Sequence, residues 1–332
     1  MTATSAPDEA LARLLRLLAD AGYRFTTPTP LTQQRVVARR TSSGHPDAAN
    51  WRDVFGWNLP FRAALLPPAM LQPLLDAGVV LPVDPQQGVV DEAARLLKST
   101  VRVSSLGEDL FVHSGFPTTA HDAVFFGPDT YRFGRFIAQS LPGARRDVSA
   151  TCRVLDIGCG SGAGGVAVAR ALGSTCDVVL NDINPLALRC AAVNAAAAGV
   201  AVTLLPGDAM TEVNGTFDVI VANPPYLDDD QQRAYRHGGG RLGRGLSLRM
   251  TATALAHLAP GGCFLLYTGV AMVAGKDPFL QDLAPLLADW DGAWTYAEID
   301  PDVFGEELER PVYADIDRIA AVGLTVWRRA GS

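Results

Sequence analysis

The run CRVLDIGCGSG, residues 152–162, decides the reading of this 332-residue chain. Its apolar start is the length of a strand and ends in Asp156. The chain then turns through Gly158, Gly160 and Gly162 into GGVAVARALG (164–173), which is patterned as a helix. Glycines at such a turn allow a sharp bend and close approach of a ligand to the backbone; a plain tight turn uses them as well.

Working outward, the same alternation repeats. DVVLNDI (177–183) precedes the helical PLALRCAAVNAAAAG (185–199), and VTLLPGD (202–208), FDVIVANPP (217–225), GCFLLYTG (262–269) and AAVGLTVWRR (320–329) are further apolar runs. Helical stretches such as LSLRMTATALAHLA (246–259) and PFLQDLAPLLADW (278–290) lie between them. Near-continuous apolar strands alternating with helices specify a mostly parallel sheet covered on both faces, a doubly wound α/β fold. Ligands in such folds bind beyond the carboxyl ends of the strands, so the residues following each strand are the candidates.

The second strand ends in Asn181-Asp182, and Asp182 lies 24 residues beyond Gly158, where a carboxylate suits the two hydroxyls of a ribose. It equally suits an N-cap for the helix at Pro185. The third ends in Gly207-Asp208-Ala209, an acceptor for an adenine amino group or a solvated turn. The fourth ends in Asn223-Pro224-Pro225-Tyr226. Two prolines cannot continue a central ladder, so the tetrapeptide leaves the sheet with its carbonyls free. The Asn223 side-chain oxygen and the Pro224 carbonyl offer two acceptors for the two hydrogens of one planar NH2 group, and Tyr226 offers a flat face for stacking.

This combination resembles the class I S-adenosylmethionine-dependent methyltransferases of the NPPY type, over about residues 125–330. The resemblance implies a Rossmann-like seven-stranded sheet. It also implies S-adenosylmethionine as cofactor: Gly158, Cys159, Gly160 and Gly162 pass beneath its methionine part, Asp156 lies near the ammonium, Asp182 and Ile183 flank the ribose, and Gly207, Asp208 and Ala209 flank the adenine. Asn223, Pro224, Pro225 and Tyr226 are the implied catalytic residues, with Asn223 also beside the cofactor. No metal is required, because methyl transfer from a sulfonium is an in-line displacement that needs positioning and exclusion of water.

Enzymes of this type methylate glutamine amides in proteins or exocyclic amines of adenine (N6) and guanine (N2). HGGGRLGRGLSLRM (237–250) is similar to the pattern of release-factor glutamine methyltransferases, with Gly239, Gly240, Gly243 and Arg249 matching. Two features depart from it: Leu242 replaces the usual acidic residue, and FFGPDTYRFGRF (125–136) replaces a Pro-Arg-Pro segment. That segment also resembles the aromatic strip preceding some RNA methyltransferase domains. Tyr131, Phe133 and Phe136 are candidates for covering the cofactor or for core packing, and Arg132 and Arg135 for meeting phosphate or solvent. The expected substrate is a glutamine of a translation protein; base methylation in RNA or DNA is the alternative, and a cofactor-binding module without catalysis is a third, opposed by the intact Asn223–Tyr226.

Composition is compatible with each. The chain is 48% hydrophobic and 19% charged, so wholesale disorder is excluded, and its net charge of −7 gives no global attraction to nucleic acid or anionic lipid. Five cysteines without a CxxC pair point to reduced thiols, with no disulfide framework or zinc site. The opening MTATSAPDEA has no basic stretch followed by an apolar one, and no run reaches the length of a membrane span, so a soluble, cytoplasmic protein without membrane partners is expected.

Residues 1–124 read as an accessory domain that selects the substrate, and 125–332 as the catalytic domain with a leading segment, 125–150. The break is expected near LPGARRDVSA (141–150). Leu11, Leu14, Leu15, Leu17 and Leu18 fit an amphipathic helix ending at Gly22. MLQPLLDAG (70–78) fits a short helix, and VRVSSLGEDLFVH (101–113) fits a hairpin. Together they suggest a helical or winged-helix-like unit. TTPTPLT (26–32) and TSSGHPDAAN (41–50) read as surface loops. Arg35, Arg39 and Arg40 form a basic cluster that suits RNA or merely a solvated face, and 228–249 reads as a mobile loop over the substrate or an ordinary surface loop.

Overall fold

The structure is a computed structural model that describes residues 5–84, 95–141, 152–173, 176–233 and 235–331. The expected break at 141–150, apart from Leu141, lies outside the described residues.

Helix α1 (Ala6–Asp20) buries Leu11, Leu14, Leu15 and Leu18 on one face, as their spacing requires. Helix α2 (Pro30–Ser42) begins inside the stretch expected to be a loop. The hydroxyl of Thr29 accepts from the Thr32 amide at 3.2 Å, and Pro30 occupies the first turn, where an amide hydrogen has no helical partner anyway. The second expected loop is likewise helical as far as Ser42. Only Gln33 of α2 is buried, so no apolar period marks this helix.

Helix α3 (Trp51–Phe55), strand β1 (Phe61–Arg62), helix α4 (Pro68–Asp76), strand β2 (Val80–Pro82) and strand β3 (Leu96–Ser99) follow, with the strands forming a small antiparallel sheet in the order β1-β3-β2. Strands β4 (Val101–Leu106) and β5 (Asp109–Ser114) form the expected hairpin around Gly107.

Helix α5 (Pro128–Ser140) leads into the large sheet: β6 (Cys152–Ile157), α6 (Ala163–Leu172), β7 (Cys176–Asp182), α7 (Pro185–Ala197), β8 (Val202–Pro206), α8 (Ala209–Glu212), β9 (Phe217–Ala222), α9 (Gly245–His257), β10 (Leu258–Met272), α10 (Pro278–Leu287), β11 (Gly292–Asp300) and β12 (Arg318–Arg328). The strand order is β11-β12-β10-β9-β6-β7-β8. The five strands from β10 to β8 run parallel, whereas β12 is antiparallel to both β10 and β11. Strand β11 is an edge strand that the apolar pattern did not reveal, since nearly all its residues are exposed or half-exposed.

Alternate residues of each central strand enter opposite cores. Val154, Val178, Leu180, Val219, Val221 and Leu265 pack with α5, α6 and α7 on one face. Leu155, Ile157, Val179, Ile220, Phe264 and Leu266 pack with α9 and α10 on the other. From β6 the chain proceeds to β7 and β8 on one side and then crosses back to β9 on the other. This creates a topological switch between β6 and β9, where a crevice opens.

The N-terminal region is fastened to this crevice. Ala187, Cys190 and Val193 of α7 share a core with α1, α4 and the hairpin. The fully buried Asn194 of α7 accepts from the Val112 amide (2.7 Å) and donates to the carbonyls of Val112 (3.0 Å) and Ser161 (2.9 Å). One side chain therefore joins the hairpin to the glycine turn, with its hydrogen-bonding groups satisfied in an interior where an unpaired amide would be costly. Among the described residues no helix is long and apolar enough to cross a membrane.

Candidate active site

A cavity of about 510 Å3 opens at the switch, within the range typical of small-molecule sites. Its floor is the turn after β6. Gly158 (φ +67°) and Gly160 (φ +53°) line the cavity. A Cβ on Gly160 would meet no atom within 4 Å, and one on Gly158 only Met250 Cε at 3.4 Å, so bare backbone faces the cavity. Gly162 is different: it begins α6 away from the cavity wall, and a Cβ there would lie 3.1 Å from Ala191 Cβ, so its role is to let α6 and α7 approach. The Cys159 amide donates to the Asn181 carbonyl at 2.9 Å, which ties the turn to β7. Burial pushes its thiol well above the usual range.

Four aspartates line the cavity, Asp129, Asp156, Asp182 and Asp208. Asp156, 1% exposed, accepts from the Gly165 amide at 2.8 Å, yet burial pushes its pKa up to about 7, with the Asp182 charge adding to the effect. Asp182 accepts from the amides of Gly160 and Asn184, each at 2.9 Å; burial raises its pKa despite these bonds. A carboxylate has about four acceptor positions, so capacity for a further donor remains. The N-cap of α7 is Asn184, which accepts from the Leu186 amide at 2.9 Å, so Asp182 is not the cap. Ile183, Asp208 and Ala209 line the wall as expected. Gly207 does not reach it; its carbonyl accepts from Asn181 Nδ2 at 3.0 Å.

Asn223, Pro224, Pro225 and Tyr226 form the opposite wall. The two strand-end asparagines are used differently. Asn181 donates to the carbonyls of Leu205 and Gly207. The Asn223 side chain makes no hydrogen bond within the described residues, although it lies at the cavity surface. Tyr226 is buried: its hydroxyl donates to Asp129 Oδ2 at 2.5 Å and its ring meets Phe304 edge-on at 5.8 Å. It is thus held at hydroxyl and ring edge, not displayed as an open stacking face.

The region after this wall is a tied knot instead of a loose loop. Asp229 is buried and accepts from Arg233, whose guanidinium holds its pKa down to about 2. Arg236 pairs with Glu307, and the Leu227 carbonyl accepts from the Gly238 amide at 2.8 Å. Gly243 (φ +75°) lies so close to the Tyr226 carbonyl that any Cβ would collide with it. Gly238, where a Cβ would collide with the Gly243 and Pro225 carbonyls, and Gly243 therefore seat this segment against the Asn223–Tyr226 turn, whereas Gly239 has open space around it. Arg249 reaches the cavity wall and has no ion-pair partner among the described residues.

Sequence reasoning missed Asp129, which begins α5 and lines the cavity beside Phe125 and Phe133. Phe133 is buried and also packs against Tyr267. Phe136 packs near Gly323 of β12, and the Tyr131 hydroxyl accepts from the Thr27 amide at 2.9 Å. Arg132 is bound to Asp129 and Asp300, which removes it as a phosphate ligand, whereas Arg135 is exposed.

Residues 121–271 match the family described as the methyltransferase small domain. A release factor glutamine methyltransferase of Deinococcus radiodurans is 34% identical over 165 residues, 47% of this chain and 55% of that protein. The chain thus spans about half the length of that relative. A Methanocaldococcus jannaschii protein named "Putative protein N5-glutamine methyltransferase" is 32% identical over 139 residues, 40% of this chain and 68% of that protein. A ribosomal RNA small subunit methyltransferase C of Shewanella sp. (strain MR-4) is 38% identical over 76 residues, 23% of this chain and 22% of that protein. With a glycine-floored cavity at the sheet's switch point, aspartates around it and relatives of this kind, the chain belongs to the S-adenosylmethionine-dependent methyltransferases.

Proposed function

We propose that the protein methylates the nitrogen of a planar NH2 group, the side-chain amide of a glutamine in a protein of the translation apparatus. The observation that carries the reading is the Asn223 amide, at the cavity wall without a hydrogen-bond partner among the described residues and followed by two prolines. The cavity fits S-adenosylmethionine in chemistry: bare glycine backbone for close approach, and carboxylates to accept from an ammonium, a ribose and an amino group. In this reading Gly158 and Gly160 underlie the methionine part, Asp156 takes the ammonium, Asp182 the ribose hydroxyls and Asp208 the adenine amine. When bound, the cofactor supplies a methyl group on a positively charged sulfur.

The chain's own residues then have one task, to present a weak nucleophile. An amide nitrogen is conjugated with its carbonyl, and its lone pair is poorly available. Asn223 Oδ1 and the Pro224 carbonyl accept the two N–H bonds, orient the NH2 group and stabilise the positive charge that grows on nitrogen as the N–C bond forms and the C–S bond breaks; one N–H proton is then lost to solvent. Proline at 224 and 225 leaves no amide donor to compete for these acceptors. The half-buried Phe125 and the buried Phe133 and Met250 on the cavity wall exclude water from the displacement. The alignments with glutamine methyltransferases and the glycines at 239, 240 and 243 support the protein substrate.

RNA base methylation is the second reading, favoured by the ribosomal RNA relative and by Arg249 on the cavity wall. Incubation with methyl-labelled S-adenosylmethionine and an extract lacking the activity, followed by separate protease and ribonuclease digestion, distinguishes the two. Label released by protease alone supports the glutamine reading, and label released by ribonuclease alone replaces it with the second.

A further inference from the structure

The Asn223–Tyr226 turn has no amide hydrogens at its two prolines, so it must be held in place by other means. Its backbone is seated against Gly243, and the hydroxyl at its aromatic tip donates to Asp129. That carboxylate is on the second residue of α5, where the helix N-terminus favours an anion. Oδ2 accepts from the Tyr226 hydroxyl at 2.5 Å; Oδ1 accepts from the Tyr267 hydroxyl at 2.7 Å and from Arg132 at 3.2 Å. Arg132 in turn donates to Asp300 of β11 at 2.9 Å. The Tyr226 ring crosses β10 at Gly269, where any Cβ would collide with it, and Phe304 closes its edge.

We infer that Asp129 is a positioning residue for methyl transfer, fixing Tyr226 and through it the direction in which Asn223 and Pro224 present their acceptors. The inference rests on the function proposed above. The geometry separates positioning from simple stability, because the same carboxylate serves two tyrosines. Tyr226 belongs to the wall turn, whereas Tyr267 lies within β10 and is already held by its strand pairing with Gly323. Loss of the Tyr267 hydroxyl removes a buried bond without freeing the turn; loss of the Tyr226 hydroxyl frees the turn and leaves the sheet intact.

The test compares Asp129→Asn, Tyr226→Phe, their double variant and Tyr267→Phe in the full chain. Two readouts are used: methyl transfer from labelled S-adenosylmethionine to the substrate fraction, and hydrogen–deuterium exchange of the peptide covering 223–238. Misplacing a reacting group by about an ångström costs roughly a hundredfold. Asp129→Asn and Tyr226→Phe are therefore expected to lower kcat by about ten- to a hundredfold with the cofactor KM unchanged, and the double variant to lose no more than the worse single. Exchange of 223–238 should accelerate in these variants and not in Tyr267→Phe, which keeps kcat within about threefold. Should Asp129→Asn fail to fold, Tyr226→Phe alone carries the same two readouts. Unchanged exchange in 223–238, or a double variant showing the product of the two single losses, overturns the inference. Exchange is independent of the substrate, so no transfer by the unaltered protein refutes the proposed function, whereas transfer by the unaltered protein with unchanged exchange in the variants refutes the positioning role alone.

Discussion

Asp156→Asn should make the unliganded protein more stable, increasingly so as pH rises from about 4 to about 7. Asp156 is 1% exposed and, among the described residues, pairs with no cation: it accepts from the Gly165 amide, and the like-signed Asp182 acts on it. Burial holds its folded pKa at about 7, against an ordinary value of 3.8. Between these values the folded protein keeps a proton that the unfolded chain has released, so folding stability falls as pH rises, by up to about 1.4 kcal/mol per pH unit. Across the whole interval the loss is on the order of 4 kcal/mol, complete above about pH 7. Asparagine keeps an acceptor for the Gly165 amide and cannot ionise.

Urea unfolding of both proteins at pH 5, 6, 7 and 8 measures the effect, and the difference between them cancels all other titrations. The advantage of Asp156→Asn should grow through pH 5, 6 and 7 and then level. Added S-adenosylmethionine should reduce the advantage, because its ammonium compensates the ionised carboxylate of the unaltered protein. A difference independent of pH would refute the account of Asp156 as a buried, uncompensated acid.

Asp182→Ala should weaken S-adenosylmethionine binding by about ten- to a hundredfold in calorimetry, the worth of hydrogen bonds to a charged acceptor; unchanged affinity would remove Asp182 from the ribose. Gly243→Ala should lower stability by more than about 2 kcal/mol in urea, through its positive φ and the collision with the Tyr226 carbonyl; a loss under about 0.5 kcal/mol would show that the knot yields. Asp229, whose pKa is held down to about 2 by Arg233, contributes stability that is present above its ordinary value and lost as pH falls towards 2. The deficit of Asp229→Asn against the unaltered protein should therefore be constant above pH 4 and shrink below it, as followed by acid unfolding.

The large sheet was legible because its central strands are buried on both faces: Val154-Leu155 and Val219-Ile220-Val221 must be apolar without interruption, and each ends in the residues that face the cavity. What escaped was set by three-dimensional context. Helix α2 has a proline at its start and one buried side chain, so its sequence carries the marks of a turn and no period. Strand β11 is held by pairing with β12 and needs little apolar surface of its own. The glycines at 158, 160 and 162 look alike in sequence, yet the first two face the cavity and the third faces α7. Asp129 reads as an ordinary acidic residue in a first helical turn, because its partners Tyr226 and Tyr267 are 97 and 138 residues away.

The most direct test of the central claim compares the unaltered protein with Asn223→Ala, measuring S-adenosylmethionine binding by calorimetry and the methylated product by tandem mass spectrometry of digested extract. The account predicts a single added methyl group on a glutamine side chain with the unaltered protein. For Asn223→Ala it predicts affinity within about threefold and a rate lower by at least about a hundredfold, the usual consequence of removing one transition-state hydrogen bond. Full methylation by Asn223→Ala, or a methyl group on any atom other than a glutamine side-chain nitrogen, would contradict it.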